Sequence, residues 1–411
     1  MVACIEELLK RVTPSDPGML AKPAREPRTI LFALSSCRRA GMEVSISNII
    51  KVLDPIRFRP MAVFLCLSED GSFPDELRNL GAEVIVRRVG RLRNPLNVFS
   101  TVVWLARLIR ENHVELVFSY APNHPYARLA ALATARPNIC HEIFLFKTPF
   151  WRNGPIFGLN FLLGTDAYFT SGKLAFETIR AADPRHSPVV YHPHMVDLSL
   201  FDYRRPGDQM RVRMGIPKDA FVYAIVGRIQ DWKGQDVFVR AALQMVKEST
   251  TTYFVIAGGG WWDKDRRLEA ELKRMVAEHG AQERILFTGF LADPVPVFAA
   301  SDVICHCSRS PEPTGTVIIE AFAMKKPVIS VNEGGPLELI RPDIDGWLIP
   351  PGNVKSLVNA MKRCLYERDE LARMGEEGYQ KVIMQHDEAS FSKAVNDLIA
   401  KYAVVKQLSL T

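Results

Sequence analysis

The sequence predicts an α/β protein of two doubly wound domains that face each other across a cleft. Three observations carry that expectation. The chain has 411 residues, more than one ordinary core accommodates. Apolar runs of strand length alternate with helix-periodic stretches from end to end, and the series starts twice. Between the two series, His192, Pro193, His194 and Pro206 interrupt the periodicity.

In chain order, residues 1–27, with Pro14, Pro17, Pro23 and Pro27, read as a short helix and a loose lead-in. The first domain is placed at 28–200. Its strands are Thr29–Leu34, Pro60–Leu67, Glu83–Arg87, Glu115–Ser119 and Ile139–Leu145, with a helix over Pro95–Asn112 among them. The second domain, 201–388, takes Pro206 as the first-turn proline of a new helix and starts its sheet at Phe221–Val226. Strands at Tyr253–Gly258, Arg284–Thr288, Val303–Cys307 and Pro327–Val331 follow, with helices at Gln235–Lys247, Asp263–His279 and Lys355–Tyr366. These strands are continuously apolar rather than alternating, so both sheets are parallel and covered on both faces. Ligands of such folds bind at the carboxyl ends of the strands.

Composition narrows the function classes. Hydrophobic residues at 47% and charged residues at 24% exclude a disordered or low-complexity chain. The longest charge-free run, Ser249 to Trp262, is shorter than the roughly 20 apolar residues of a bilayer span. Glu6 and Glu7 beside Lys10 and Arg11 do not read as a secretory leader. Cysteines 4, 37, 66, 140, 305, 307 and 364 are scattered and odd in number, which suits a reducing, cytoplasmic setting. The net charge of +6 lies wholly in the first half: residues 1–200 hold 24 Lys/Arg against 18 Asp/Glu, and residues 201–411 hold 28 against 28. It is densest at Arg87, Arg88, Arg91 and Arg93, read either as a solvated loop or as a patch for an anionic membrane surface or acidic acceptor. No nucleic-acid signature accompanies it.

The chemistry concentrates in the second domain. After the strand ending at Val226, Gly227 permits a sharp turn, and Arg228 and Lys233 project from the loop before the next helix. A planar guanidinium fork and a compact ammonium suit a diphosphate; two ordinary exposed cations are the plain alternative. After Val303–Cys307 comes Ser308-Arg309-Ser310-Pro311-Glu312-Pro313, in which two prolines hold Glu312 in an extended loop. Gly315 and Thr316 then open a helix whose first amides form an anion site, with Glu320 in its first turns. The two carboxylates, eight positions apart, suit the hydroxyls of a sugar and a ribose. For Glu320 alone, a helix acid favoured by the dipole is the plain alternative.

From Val226 to Pro350 the chain resembles the donor-binding domain of family-four retaining glycosyltransferases, the glycosyl transferases group 1, which have the GT-B fold of two Rossmann-like domains. The residues that carry the resemblance are G-R-I-Q-D-W-K-G at 227–234, I-A-G-G-G at 256–260 and F-T-G-F at 287–290. The Glu312–Glu320 pair, P-V-I-S at 327–330, E-G-G-P-L-E at 333–338 and D-G-W-L-I-P at 345–350 continue it. Weaker agreement lies at 191–201 and in G-M-E-V at 41–44.

The resemblance implies transfer of a sugar, with retention and without a metal or other cofactor, from a UDP- or GDP-sugar to a glycan or lipid-linked acceptor. Arg228 and Lys233 would hold the donor diphosphate, Glu312 the transferred sugar, and Glu320 the ribose. The amides of Gly315 and Thr316 would complete the phosphate cradle, and Phe290 would lie against the base. Gly41, in the loop after the first strand, would admit the phosphates close to the backbone. The first domain would take the acceptor, and a helix at 389–411 would cross back to it. A pair of fixed cations would supply what a divalent metal supplies elsewhere.

Other features weigh less. The D-x-D strings Asp263–Asp265 and Asp343–Asp345 sit at a helix start and in a loop, away from the end of a nucleotide-domain strand. The histidine that many family members carry at the end of the fifth strand aligns with Phe144. His141 then lies within that strand, and His124 is the preferred catalytic histidine of the acceptor side. In Cys305-His306-Cys307, alternation sends His306 to the face opposite both cysteines, which reads as core packing and not as a metal cluster. The aromatic stretch with Phe146, Phe150, Trp151, Phe157 and Phe161 reads mostly as core, otherwise as a surface for a hydrophobic acceptor. One rival keeps the fold and changes the chemistry, a sugar-phosphate synthase or phosphorylase-like enzyme; another, of a different class, is a nucleotide-sugar-binding partner that has lost catalysis.

Overall fold

The structure is a computed structural model, and it describes residues 26–38, 41–66, 71–89, 94–120, 123–142, 144–146, 148 and 155–404. Described residues divide into two compact units. One comprises the chain up to Ser171, Ala175–His192 and the chain from Ala389; the other comprises Gly172–Leu174 and Pro193–Glu388.

The first unit holds β1 (Arg28–Leu34), α1 (Gly41–Lys51), β2 (Phe58–Cys66), α2 (Phe73–Asn79), β3 (Glu83–Arg88), α3 (Pro95–Glu111), β4 (Val114–Tyr120) and α4 (His124–Ala133). It continues with β5 (Asn138–His141), α5 (Pro155–Leu163), β6 (Ala167–Thr170), α6 (Lys173–Ala182) and β7 (Val189–Tyr191). Its seven strands are parallel, in the order β3-β2-β1-β4-β5-β6-β7. Central strands buried on both faces explain why their sequences are apolar without alternation: Ile30, Leu31, Phe32 and Ala33 are all fully buried. Strands β6 and β7, of four and three residues, are too short to show a period in sequence.

The second unit runs α7 (Asp208–Arg213), β8 (Phe221–Val226), α8 (Gln235–Glu248), β9 (Thr252–Ala257), α9 (Asp263–Glu278), β10 (Ile285–Gly289), α10 (Val295–Ala300) and β11 (Val303–His306). Then come α11 (Thr316–Ala323), β12 (Val328–Val331), α12 (Pro336–Leu339), β13 (Gly346–Ile349), α13 (Val354–Tyr366) and α14 (Arg368–Gln385). The strand order is β10-β9-β8-β11-β12-β13, all parallel. Along β8, Phe221, Tyr223 and Ile225 enter one apolar cluster while Val222 and Ala224 enter another, the two-face coverage a doubly wound sheet requires.

The seam near residue 200 expected from sequence moves to His192/Pro193. Val196 and Phe201 are buried in the second unit's core, and the Val196 amide donates to the His386 carbonyl at 3.2 Å. The last helix, α15 (Glu388–Val404), packs on the first unit. There Asn396 donates to the Val52 carbonyl at 2.8 Å and accepts from the Asp54 amide at 2.9 Å.

Two expectations about the first unit are corrected. β5 ends at His141, four residues before Leu145, so His141 stands at the strand end, where its Nε2 lies 3.3 Å from the Ser45 hydroxyl. Phe144 lies beyond the strand, half-buried against the cluster that holds Phe146 and Phe161. His124 is sealed in the core at 0% exposure. Its Nε2 donates to the Gly164 carbonyl at 3.1 Å, and its neutral Nδ1 accepts from the Ser119 hydroxyl at 2.8 Å. Both nitrogens are thus used internally, and the ring is a structural tie between β4, α4 and the turn after α5, not an acid or base for a substrate.

Burial, aided by the Arg128 charge and opposed by the bond to Gly164, lowers the His124 pKa from 6.5 to about 3. The folded ring stays neutral while the unfolded one takes up a proton below its ordinary value, so stability is full above about pH 6.5 and falls on acidification towards pH 3. Urea unfolding should show a loss on the order of 3 kcal/mol from this group between pH 7 and pH 4. His124→Gln should remove that share of the pH dependence. Equal acid sensitivity in the variant would contradict the assignment.

Candidate functional site

The second unit gathers its polar side chains at the carboxyl ends of β8 and β11. At β8 the chain turns through Gly227 at φ 145°, and a short 3₁₀ turn, Asp231–Lys233, ends in Gly234. Gly234 is left-handed at φ 75°, and a Cβ there would stand 1.9 Å from the Cys307 carbonyl oxygen, so only glycine lets this loop lie against the β11 loop. Gln235, buried at the start of α8, fastens the loop by donating to the Arg228 carbonyl at 2.8 Å. The Arg309 amide donates to the Trp232 carbonyl at 2.7 Å, and the Arg309 guanidinium pairs with Asp236. The two loops are therefore one framework.

Within it Glu312 is the hub. Its carboxylate is buried, bound by Lys233 Nζ through both oxygens at 2.8 and 2.9 Å, and by His306 Nε2 at 2.9 Å. The Ser308 hydroxyl donates to Oε1 as well. A carboxylate only accepts, so His306 carries its proton on Nε2, while its Nδ1 meets the Ser330 hydroxyl at 2.8 Å. Register explains that last contact, since His306 pairs with Ser330 across β11 and β12. The backbone of Glu312 bridges to Gly334, and its carbonyl accepts from the Gly335 amide at 2.7 Å. Gly334 sits at φ 73° with no room for a side chain beside that strand of backbone. Burial opposes ionisation of Glu312, but the charges and hydrogen bonds of His306 and Lys233 outweigh it and hold the carboxyl well below the usual carboxylate range.

His306 is the correction here. Alternation does place Cys305 and Cys307 in the apolar cluster and His306 on the other face, but that face leads to Glu312, not to core packing. The signal was present: a histidine ending a strand, six positions before a proline-flanked glutamate.

Of the other expected residues, Gly315, left-handed at φ 85°, caps α11, and the amides of Thr316 and Val317 begin that helix in positions without intrahelical acceptors. Glu320 is half-buried in its second turn. Phe290, just past β10, is 60% exposed. The Arg228 guanidinium lies over the Trp261 ring at 4.7 Å, and Lys233 Nζ over the Trp232 ring at 4.4 Å. Gly41 belongs to the first unit and is the first residue of α1, not part of a loop. Asp265 accepts from the Trp262 amide at the start of α9, and fully buried Asp345 is held by Arg341 at 2.7 Å and Lys381 at 3.2 Å. Among the described residues no cluster of three or more metal-ligating side chains occurs. No helix among them is long and apolar enough to cross a membrane. In the first unit, the Arg87 guanidinium stacks on Trp104 at 4.3 Å, while Arg88 is exposed. Arg91, Arg93, Phe150 and Trp151 lie outside the described residues, as does the Phe157 side chain.

Residues 208–381 match the family described as Glycosyl transferases group 1. A lipopolysaccharide core biosynthesis glycosyltransferase of Rhizobium meliloti is 26% identical over 46% of this chain and 53% of its own length. A D-inositol 3-phosphate glycosyltransferase of Mycobacterium leprae is 33% identical over 46% of this chain and 42% of its own. The chain thus spans about half the length of the curated relatives it matches. Among solved structures, Anabaena HepE in complex with UDP and glucose superposes with a TM-score of 0.79 at 22% identity, covering 91% of this chain and 98% of that one. A glycosyltransferase of Rickettsia africae gives 0.78 at 20% identity, covering 93% of this chain and 100% of that one. The fold is accordingly the GT-B fold, two Rossmann-like α/β domains with parallel sheets.

Proposed function

We infer, from the match of residues 208–381 to the glycosyl transferases group 1 family, that this protein transfers a sugar from a nucleotide-sugar donor to a glycan or lipid-linked acceptor. The observation that carries the reading is the buried Glu312 carboxylate, kept ionised by Lys233 and His306 at the carboxyl end of the sheet. A charge held there at a cost in burial is the kind of group that receives a polar ligand.

In this reading Arg228 and Lys233 face the donor diphosphate and stabilise the charge that develops on it as the glycosidic bond breaks. Two of the three Lys233 donors are engaged by Glu312, which leaves one for a phosphate oxygen. The amides of Gly315 and Thr316 extend the cradle at the start of α11. Glu312 accepts from a hydroxyl of the transferred sugar, Glu320 from the ribose, and exposed Phe290 lies against the base. The reaction proceeds with retention, the acceptor entering on the face the nucleotide leaves, and two fixed cations serve in place of a divalent metal. The UDP in the HepE complex favours a uridine nucleotide, with guanosine as the alternative.

Calorimetric titration with UDP-, GDP-, ADP- and CMP-sugars in the presence of chelator tests this. One ligand should bind without metal, and Arg228→Ala and Lys233→Ala should each weaken it at least tenfold. Absence of binding across the panel would remove the donor site. Arg87 and Arg88 support a setting at the cytoplasmic face of an anionic membrane, for which liposome flotation is the check.

A further inference from the structure

The six-stranded sheet of the second unit ends at β10, and no strand among the described residues pairs with its outer edge. Parallel pairing turns alternate residues of a strand towards the same neighbour. The Arg284 carbonyl accepts from the Phe254 amide of β9 at 2.8 Å, so Leu286 also faces β9, while Ile285 and Phe287 face outward. The Ile285 amide is taken by the Ala281 carbonyl at 2.9 Å. The Ile285 carbonyl and both backbone groups of Phe287 are thus presented to a groove of about 440 Å³, which residues 285–288 line in unbroken succession. Its walls come from both faces of the sheet. Met210, Met214 and Leu291 pack with the apolar cluster on the α7 side, and Val276 belongs to the cluster on the α9 side. The charged residues lining it are Arg213 and Lys273, both exposed and both cations. Lys273 pairs with Glu269 at 2.6 Å and lies over the Phe287 ring at 5.6 Å.

We propose that this edge takes an extended acidic segment of a partner protein as a seventh strand beside β10. A groove that follows four consecutive strand residues fits an extended chain, and the outward backbone groups supply ladder bonds whatever the sequence of that chain. Its side chains alternate between the two faces, so apolar ones fall between the methionines of α7 and Val276 of α9. The thioethers of Met210 and Met214 adapt to side chains of differing shape. Carboxylates on the added strand meet Arg213 on one side of the groove and Lys273 on the other. The same cations argue against a second copy as occupant. A continuous sheet formed through a two-fold axis would set Arg213 and Lys273 of one chain against their own images. None of the lining residues belongs to the proposed donor site, so the inference stands apart from that reading.

The test uses the full chain and three fluorescein-labelled peptides of about seven residues, long enough to span β10. One alternates valine with glutamate, the second valine with lysine, and the third serine with glutamate. Fluorescence anisotropy should show binding of the valine–glutamate peptide alone, weakening as salt is added. The double variant Arg213→Glu, Lys273→Glu should bind it about tenfold more weakly and gain affinity for the lysine peptide. Both side chains are exposed, so the variant should melt within about 2 °C of wild type, which separates a lost contact from a lost fold. Amide hydrogen exchange at Phe287 should slow at least tenfold in the complex, the mark of a strand added at this edge. Failure to bind the valine–glutamate peptide overturns the proposal, as does equal binding of the serine peptide. Binding that ignores the charge reversal, or that leaves the Phe287 amide unprotected, overturns it too. So does a concentration-dependent dimer that protects Phe287 without peptide, which would make a second copy the occupant.

Discussion

A Glu312→Gln protein is expected to transfer sugar about 100- to 1000-fold more slowly than wild type while binding nucleoside diphosphate within a few-fold of it. The side chain keeps its shape and loses its charge. Lys233 and His306 then face a neutral amide where they faced a carboxylate. In the proposed site Glu312 meets the sugar, not the phosphates, so the loss belongs in turnover more than in affinity. Release of nucleoside diphosphate under saturating donor measures the first, and calorimetry the second. The same change should lower stability by about 2–3 kcal/mol at neutral pH, because a neutral amide replaces the buried carboxylate that accepts from Lys233, His306 and Ser308. The pH dependence follows in sign. A carboxyl held below its ordinary range contributes stability above the unfolded pKa of about 4.3 and loses it as the pH falls through the folded value. The variant should lack that acid-labile share. Turnover within threefold of wild type would separate Glu312 from the chemistry.

Gly234→Ala is expected to be among the more destabilising single methyl additions at the loop glycines, at about 3 kcal/mol or more, with a fall in Tm of roughly 10 °C. Two costs combine. At φ 75° alanine is disfavoured by roughly 1 kcal/mol, and its Cβ would overlap the Cys307 carbonyl, which cannot yield without moving the loop that carries Glu312. Gly215→Ala is the control. Gly215 has a similar φ of 68° with nothing within 4 Å of the added carbon, so it should lose only about 1 kcal/mol. Differential scanning calorimetry that found the two variants equal would show that the β11 loop gives way freely.

Much of this site was legible in the sequence because its key residues lie at places where local chemistry is unusual. Gly227 and Gly234 bracket the cationic loop, Pro311 and Pro313 bracket Glu312, and Gly315 precedes a helix. Continuous apolar strands gave the two parallel sheets for the same reason: both faces are covered. What escaped is what depends on register and length. The end of β5 could not be seen, since Ile143 to Leu145 are as apolar as the strand itself, and that misplaced His141 relative to the sheet. Alternation gives the face of β11 on which His306 lies but not its neighbours, because Ser330 and Glu312 reach it from other segments. His124 sits beside Asn123 at a helix start, where sequence does not distinguish a cleft position from a core one. Only its bonds to Ser119 and Gly164 identify it as a core residue.

The return of α15 to the first unit sets an order on folding. Asp54 and Asn396 are joined by a hydrogen bond across 342 positions, and nearly the whole second unit lies inside that loop. Closing such a loop is entropically slow, and the ribosome makes it slower still, because Phe391 and Asn396 emerge only after the whole second unit. The second unit, uninterrupted from Pro193 to Glu388, can complete its sheet while still tethered. The first unit, begun earlier, finishes later, and until α15 arrives the apolar surface that Phe391 covers stays open to chaperones or to a neighbouring chain.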